Sequence, residues 1–416
     1  MPDGLITDTG TEVLSLTEAR EKVLEAVERL PAQGVALADA AGLVLAETCV
    51  APHDLPRFDN SSMDGYALRA EDALGAAEDP VTLTLAAEAR AGQLQETPVV
   101  AGQVVRIMTG APLPPGANAV IPVEDTEEDG SRVTLRASVA PGQFVRRAGE
   151  DLRRGEVAVA AGSELGAGEL AVLASVGAGR LQVIRRPQVA IFVTGDELVE
   201  IGEVPGPGQI RDSNSVALTT LVAESGAEVH SCERLKDNLE ATIGSFEAAT
   251  QADLIVSSGG VSMGRYDLVR RAVEELGGID FWKVAMKPGK PCVLGRVGTV
   301  PFLGLPGNPV SVHVSFEQFV RPAIRKMKGA RGYLRPTITA RLTETLEHGP
   351  GRFELVRVRL SKEDGEWLAS PTGAQGSHIQ SSLVDTHGVA HFGADETKLP
   401  AGTDVTVEIW RLPEEK

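Results

Sequence analysis

After Arg185-Arg186-Pro187 short apolar runs alternate with stretches of helical spacing, and three of the runs end in glycine-rich turns. QVAIFV leads into TGDE, DLIVSS into GGVSMG and VPFLG into LPGNPVS, while SVALTTLVAESG, NLEATIGSFEAATQ and YDLVRRAVEELG carry the helical pattern. Apolar runs of strand length alternating with such segments predict a parallel sheet with helices on both faces. Ligands of such sheets lie outside the carboxyl ends of the strands, where glycine turns expose backbone N–H groups.

The flanking sequence follows other rules. Ser15-Leu-Thr-Glu18 has capping-box spacing, and Ala19, Val23, Ala26, Val27 and Leu30 predict an amphipathic helix that ends before Pro31. From about 51 to 185 short β-like runs (VTLTL at 81, VVRIM at 104, RVTLRASV at 132) alternate with PLPPG, EEDG and PG turns. The last helical stretch, PVSVHVSFEQFVRPAIRKM, ends near Gly329. Beyond Pro336 the runs ITARL, FELVRVRL, VAHFG and VTVEIW predict a small β-barrel of about 80 residues.

Composition excludes several function classes. With 58 acidic against 40 basic residues the net charge is −18, a field that repels polyanions and argues against broad nucleic-acid binding. No run of about 18 apolar residues or export signal occurs, and the three cysteines form no framework, so a reducing, cytoplasmic setting without a membrane partner is expected. None of the glycine turns is a Walker loop or a GxGxxG fingerprint, and HExxH and GxSxG are absent, which disfavours P-loop, dinucleotide, zinc-hydrolase and α/β-hydrolase chemistry.

What remains is an anion cradle of another type. Thr194-Gly-Asp-Glu197, Ser257-Ser258-Gly259-Gly260 and Leu305-Pro306-Gly-Asn-Pro309 would share one sheet edge. Lys283, Lys287 and Lys290 concentrate positive charge in an acidic protein, and the four-residue spacing puts Lys283 and Lys287 on one face, suited to a multiply charged anion. Asp59, Asp151, Glu197, Asp237 and Asp267 sit beside turns; each alone would cap backbone, but as a set they could hold a hard cation such as Mg²⁺. Arg352 and Arg357 flank an alternating strand and Gln375–Ser382 is rich in donors, although strand arginines usually face solvent. The run Glu124–Asp129 reads as a solvated turn.

Together these motifs resemble the molybdopterin molybdenumtransferases, MoeA-like proteins related to the E domain of gephyrin. The carrying stretches are FDNSSMDGYA, RIMTGAPLPPGANAVIPVEDT, RRAGED, TGDEL, GQIRDSN, SSGGVSMGRYD, KVAMKPGKP, GLPGNPVS and QGSHIQSS, in order along nearly the whole chain. The resemblance implies a multidomain α/β plus β fold: a discontinuous helical and linker domain (1–50 and 152–185), an inserted β-rich domain (51–151), a doubly wound α/β domain (186–328) and a C-terminal β-barrel (329–416). It also implies a homodimer whose cleft lies between the α/β and barrel domains of one subunit and the inserted domain of the other. The implied reaction is insertion of molybdate into adenylylated molybdopterin with release of AMP and a requirement for Mg²⁺.

Carried over by position, Asp59 and Thr109 would reach the partner's cleft and Asp151 would support them. Glu197, Asp237 and Asp267 would form an acidic wall, with Asp267 organising Mg²⁺. Ser258, Gly259 and Gly260 would cradle the phosphates, Lys283 and Lys287 would neutralise charge, Pro306 and Pro309 would shape the floor, and Arg357 with Ser377 would bind the molybdate oxyanion. Arg352 is the alternative to Arg357, and Arg211 stands where relatives often have Tyr. A molybdopterin adenylyltransferase and molybdoenzymes are the expected partner proteins. The rival readings are that adenylyltransferase activity itself and a gephyrin-like scaffold, and tungstate is an open substitute for molybdate.

Overall fold

The computed structural model describes residues 13–90, 92, 95–236, 238–260 and 268–414. Asp237 and Asp267 therefore lie outside the described residues. The opening helix spans Leu16–Ala26, and its predicted capping box is present: the Ser15 hydroxyl accepts the Glu18 N–H at 3.2 Å while the Glu18 carboxylate accepts the Ser15 N–H at 2.8 Å. Ala19 and Val23 bury its apolar face in the same core as strand Gln188–Thr194 and helix Arg321–Met327.

A six-stranded sheet lies at the centre of the α/β region. Strands Glu228–Leu235, Gln188–Thr194, Leu254–Ser258 and Val300–Leu305 run parallel in that spatial order, so the chain crosses back beside its first strand. The all-parallel expectation fails at one edge, where Pro291–Val297 and Gly277–Lys283 continue the sheet antiparallel. The connection there is a tight turn: only Gly298 and Thr299 separate Val297 from Val300, too short for the crossover that a parallel pair needs.

The predicted last helix forms as Pro309–Ser315 and Arg321–Met327 joined by a π-helical segment, Phe316–Val320. The tail closes into a five-stranded barrel, Phe353–Glu363, Glu366–Pro371, Thr337–Leu342, Asp404–Ile409 and Gly388–Phe392, with the first and last strands paired. Met286–Lys287 adds to it alongside Phe353–Glu354, fastening the lysine-bearing turn to the barrel. Leu355 and Val389 on the barrel's outer surface share the α/β core, so the contact is packed as well as hydrogen-bonded.

A separate six-stranded sheet includes Gly65–Leu68, Val81–Ala89, Gln103–Ile107 and Ala119–Pro122. The acidic run is more than a turn: Thr126–Asp129 pairs with Arg132–Leu135, and Glu128 accepts hydrogen bonds from Tyr66 and, at 3.2 Å, Arg106. The three cysteines are free thiols.

Candidate functional site

The three glycine turns meet at the carboxyl edge of the parallel strands. Ser258 ends its strand fully buried; its hydroxyl accepts a hydrogen bond from Asn214 Nδ2 at 2.9 Å and donates to the Pro306 carbonyl at 3.4 Å. Asn214 Nδ2 also donates to the Gly307 carbonyl at 2.9 Å, which ties the helix Asn214–Glu224 to both neighbouring turns. Because a carbonyl only accepts, this contact fixes the orientation of the amide and leaves Asn214 Oδ1 as a buried acceptor with no partner among the described residues. Asn214 is the site residue that sequence reasoning missed, although the GQIRDSN motif contained it.

Gly259 and Gly260 have φ of +83° and +64°, a left-handed backbone that suits glycine. A Cβ at Gly259 would stand 2.6 Å from Thr194 Oγ1 and 2.9 Å from the Thr194 carbonyl, so the turn lies directly against the neighbouring strand end. Beside it opens a cavity of ≈170 Å³ lined by Thr194, Gly195, Asp196, Lys236, Thr242 and Gly260. Glu197 is exposed, and a Cβ at Gly195, which lines the cavity, would come within 2.7 Å of its carboxylate.

The third turn connects to the barrel. Asn308 precedes the helix that begins at Pro309, but its amide donates to Ser377 Oγ at 3.0 Å instead of capping that helix, and the Val310 N–H donates to the Ser377 carbonyl at 3.1 Å. The loop carrying Ser377 folds over Arg357. This guanidinium is fully buried; Nε donates to Ser382 Oγ at 2.8 Å, and Nη2 to the Ala374 and Gly376 carbonyls at 3.3 and 3.4 Å. Nη1 has no partner among the described residues. Burial lowers the Arg357 pKa from 12.5 to about 10, partly offset by the Glu354 carboxylate. Arg352, just before the strand, is exposed.

Lys283 and Lys287 do not share one face. Lys283 ends an edge strand of the α/β sheet and is buried at 7% exposure, whereas Lys287, 41% exposed at its side chain, belongs to the barrel and pairs with Glu354 at 2.9 Å. The intervening Val284 and Ala285 carry the chain from one sheet to the other, which breaks the periodicity that the spacing assumed.

Asp59, Thr109 and Asp151 make no hydrogen bond or ion pair to residues 186–410 among the described residues. The Ala148 N–H holds the Asp59 carboxyl below its usual range against desolvation, and the Arg147 guanidinium assists it. Thr109 donates through its N–H and hydroxyl to Asp64, at 2.6 and 2.8 Å. Asp151 is exposed, and its N–H donates to the Leu55 carbonyl at 3.0 Å. Within one chain, then, the structure joins Ser258, Gly259, Pro306, Pro309 and Ser377, with Arg357 and Lys287 alongside, and leaves these three apart.

For Mg²⁺, no three His, Cys, Asp or Glu side chains converge among the described residues. Asp196 nevertheless lines the cavity and the Glu197 carboxylate lies against Gly195 of the same lining, and Mg²⁺ characteristically takes one or two protein carboxylates and completes its shell with water and phosphate. The donor set fits such an ion.

Comparison with known proteins gives three family models in register with this architecture. The MoeA N-terminal region (domain I and II) matches residues 14–177, the probable molybdopterin binding domain matches 190–326, and the MoeA C-terminal region (domain IV) matches 339–410. A molybdopterin molybdenumtransferase of Haemophilus influenzae is 37% identical over 403 residues, covering 95% of this chain and 98% of its own. Molybdopterin molybdenumtransferase 2 of Mycobacterium tuberculosis is 38% identical over 407 residues, covering 96% and 99%. The crystal structure of the molybdopterin biosynthesis moeA protein from Pyrococcus horikoshii superposes with a TM-score of 0.83 at 30% identity, covering 96% of this chain and 100% of that one. Ordered motifs, sheet order, closed barrel and full-length similarity agree, and the chain belongs to the molybdopterin molybdenumtransferase family.

Proposed function

We propose that this transferase inserts molybdate into adenylylated molybdopterin with release of AMP, the final step of molybdenum-cofactor biosynthesis, in the cleft between the glycine turns and the barrel. The observation that carries the assignment of the site is the Arg357 guanidinium: buried, without a carboxylate hydrogen-bonded to it, and with Nη1 unpartnered among the described residues beside the Ser377 loop. A buried cation lacking a paired anion suits an anionic ligand.

In this reading Arg357 and the Ser377 hydroxyl hold the molybdate oxygens, and Lys287 and Lys283 offset the charge of oxyanion and phosphate. The Ser258-Gly259-Gly260 turn approaches the nucleotide phosphates closely because it has no Cβ to keep them away. Pro306 and Pro309 hold the floor rigid, while Asn214 fixes its spacing from Ser258. Mg²⁺, held by Asp267 with Glu197 and Asp237 nearby, would supply electrostatic stabilisation of the departing phosphate. Asp59 and Thr109, supported by Asp151, would complete the cleft of a second subunit in a homodimer. No helix among the described residues is long and apolar enough to cross a membrane; the cytoplasm is the proposed place of action.

The test mixes purified protein with adenylylated molybdopterin, molybdate and Mg²⁺ and follows AMP by chromatography. AMP release that depends on molybdate, stops with chelation and is lost in Asp267→Ala is the expected result. Formation of adenylylated product from molybdopterin and ATP would show an adenylyltransferase instead, and no reaction with either substrate would refute the enzymatic reading.

A further inference from the structure

Close to the proposed anion seat, on the barrel-core face of its strand, lies a carboxylate that such a site would be expected to avoid. Glu354 is 5% exposed, and its Oε1 lies 2.9 Å from Lys287 Nζ. Its Oε2 lies 3.2 Å from Nδ1 of His348, misaligned for a hydrogen bond; the His348 ring is itself 1% exposed and packs edge-on against Phe392 at 4.0 Å. Backbone pairing fixes the arrangement: Lys287 is in parallel register with Glu354, Glu354 is opposite Phe392, and the Phe353 N–H donates to the Ala285 carbonyl at 2.9 Å. Three residues further along, on the opposite face of the same strand, Arg357 turns to the Ser377 loop, still within the field of the Glu354 carboxylate.

A buried carboxylate here carries a desolvation cost and repels the incoming oxyanion, so a purely electrostatic trap would be better without it. Two effects follow from its position. It holds the flexible lysine in one place, at the junction of the α/β sheet and the barrel. It also reduces the formal charge of Lys287 plus Arg357 from +2 to +1, so that charge alone holds any dianion weakly and directional hydrogen bonds must supply the rest.

We infer that Glu354 is a positioning residue that acts through Lys287, and that by moderating the charge of the cleft it makes anion choice depend on hydrogen-bond geometry. This rests on the reading of the cleft as the molybdate seat. The test uses Glu354→Gln, Glu354→Asp, Lys287→Met and the double variant Glu354→Gln/Lys287→Met, with molybdate and sulfate binding by titration calorimetry and kinetics of AMP release. Removing the charge in Glu354→Gln should tighten sulfate and molybdate binding roughly threefold or more, with sulfate gaining at least as much, because a repulsive carboxylate is gone. The kcat of the same variant should fall about tenfold because Lys287 is no longer held. Glu354→Asp keeps the charge but not the reach; it should retain wild-type anion affinities and share the loss of kcat.

In the Lys287→Met background Glu354→Gln should change kcat by less than about twofold, since the residue through which it acts is absent. Unchanged affinity and kcat in Glu354→Gln, or an equal loss of kcat with and without Lys287, overturns the inference alone. A wild-type protein that binds no molybdate overturns both the inference and the reading of the cleft. If Glu354→Gln does not fold, an unchanged kcat in Glu354→Asp overturns the inference.

Discussion

Replacing Arg357 by Met should separate stability from anion binding. The guanidinium pKa is lowered from 12.5 to about 10, first by burial, with Glu354 acting in the opposite direction. Because the folded value lies below the unfolded one, folding disfavours the charged form; the penalty is complete at pH values below 10 and disappears only above 12.5. At ~1.36 kcal/mol per pH unit, keeping Arg357 charged costs about 3 kcal/mol at neutral pH. Against this stand three hydrogen bonds, of 2.8, 3.3 and 3.4 Å, together contributing about 3 kcal/mol at roughly 1 kcal/mol each. The two nearly cancel, and Arg357→Met retains an unbranched apolar stem of similar reach. Its unliganded unfolding should therefore stay within about 1 kcal/mol of wild type, a shift of a few degrees at most. Molybdate at 100 times its Kd would stabilise the wild type by about 2.7 kcal/mol and the variant by almost nothing. Thermal unfolding followed by tryptophan fluorescence, with Trp367 and Trp410 reporting on the barrel region, compares both proteins with and without molybdate. A loss above about 3 kcal/mol without ligand, or a molybdate-induced shift equal to wild type, would refute the reasoning.

Gly259→Ala places a Cβ 2.6 Å from Thr194 Oγ1 at φ +83°; a cost of about 1–2 kcal/mol for the left-handed backbone and weakened binding of adenylylated molybdopterin in calorimetry are expected, whereas Gly307→Ala, whose Cβ would meet its nearest neighbour at an ordinary 3.7 Å, should unfold like the wild type. If Asp59 completes the partner's cleft, Asp59→Ala and Arg357→Ala, each inactive alone, should regain about a quarter of wild-type AMP release when co-refolded, since half of random dimers are mixed and each has one intact cleft. Burial, followed by Arg20, lowers the His391 pKa from 6.5 to about 4. The stability linked to its neutral form is present above pH 6.5 and is lost as pH falls through 4, a change of about 3 kcal/mol; denaturant unfolding across this range should show that loss in the wild type and not in His391→Phe. Burial raises the Glu408 pKa, the opposite dependence, so the comparison must be the difference between the two proteins.

Those parts of the fold that depend on neighbouring residues were legible in the sequence. The Ser15 capping box, the strand Gln188–Thr194 and the left-handed turn at Gly259 and Gly260 each follow from side-chain volume and backbone freedom over a few positions. The antiparallel edge was less legible because an isolated apolar run such as PCVLGRV does not encode direction; direction follows from the length of the connection, and Gly298-Thr299 permits only a hairpin. Strand Glu366–Pro371 is not legible locally, since EWLASP has neither a β-branched run nor strict alternation, and its place comes from the partners Phe353–Glu363 and Thr337–Leu342.

Arg357 shows why the site was harder to read than the fold. FELVRVRL alternates so that Val356, Val358 and Leu360 enter the barrel core and Arg357 faces outward, which for an isolated strand means solvent. The outward face is instead covered by the 374–382 loop, whose carbonyls and Ser382 hydroxyl receive the guanidinium. No local pattern in either segment specifies that coverage, because it depends on where the barrel docks, and docking depends on the core shared by Leu355, Val389 and the helix Arg321–Met327. The same holds for Lys287 and Glu354, separated by 67 positions in sequence and placed in register where the two-residue strand Met286–Lys287 joins the start of Phe353–Glu363. Sequence spacing could supply the cations of an anion site; the carboxylate that holds one of them became visible only once the two sheets were joined.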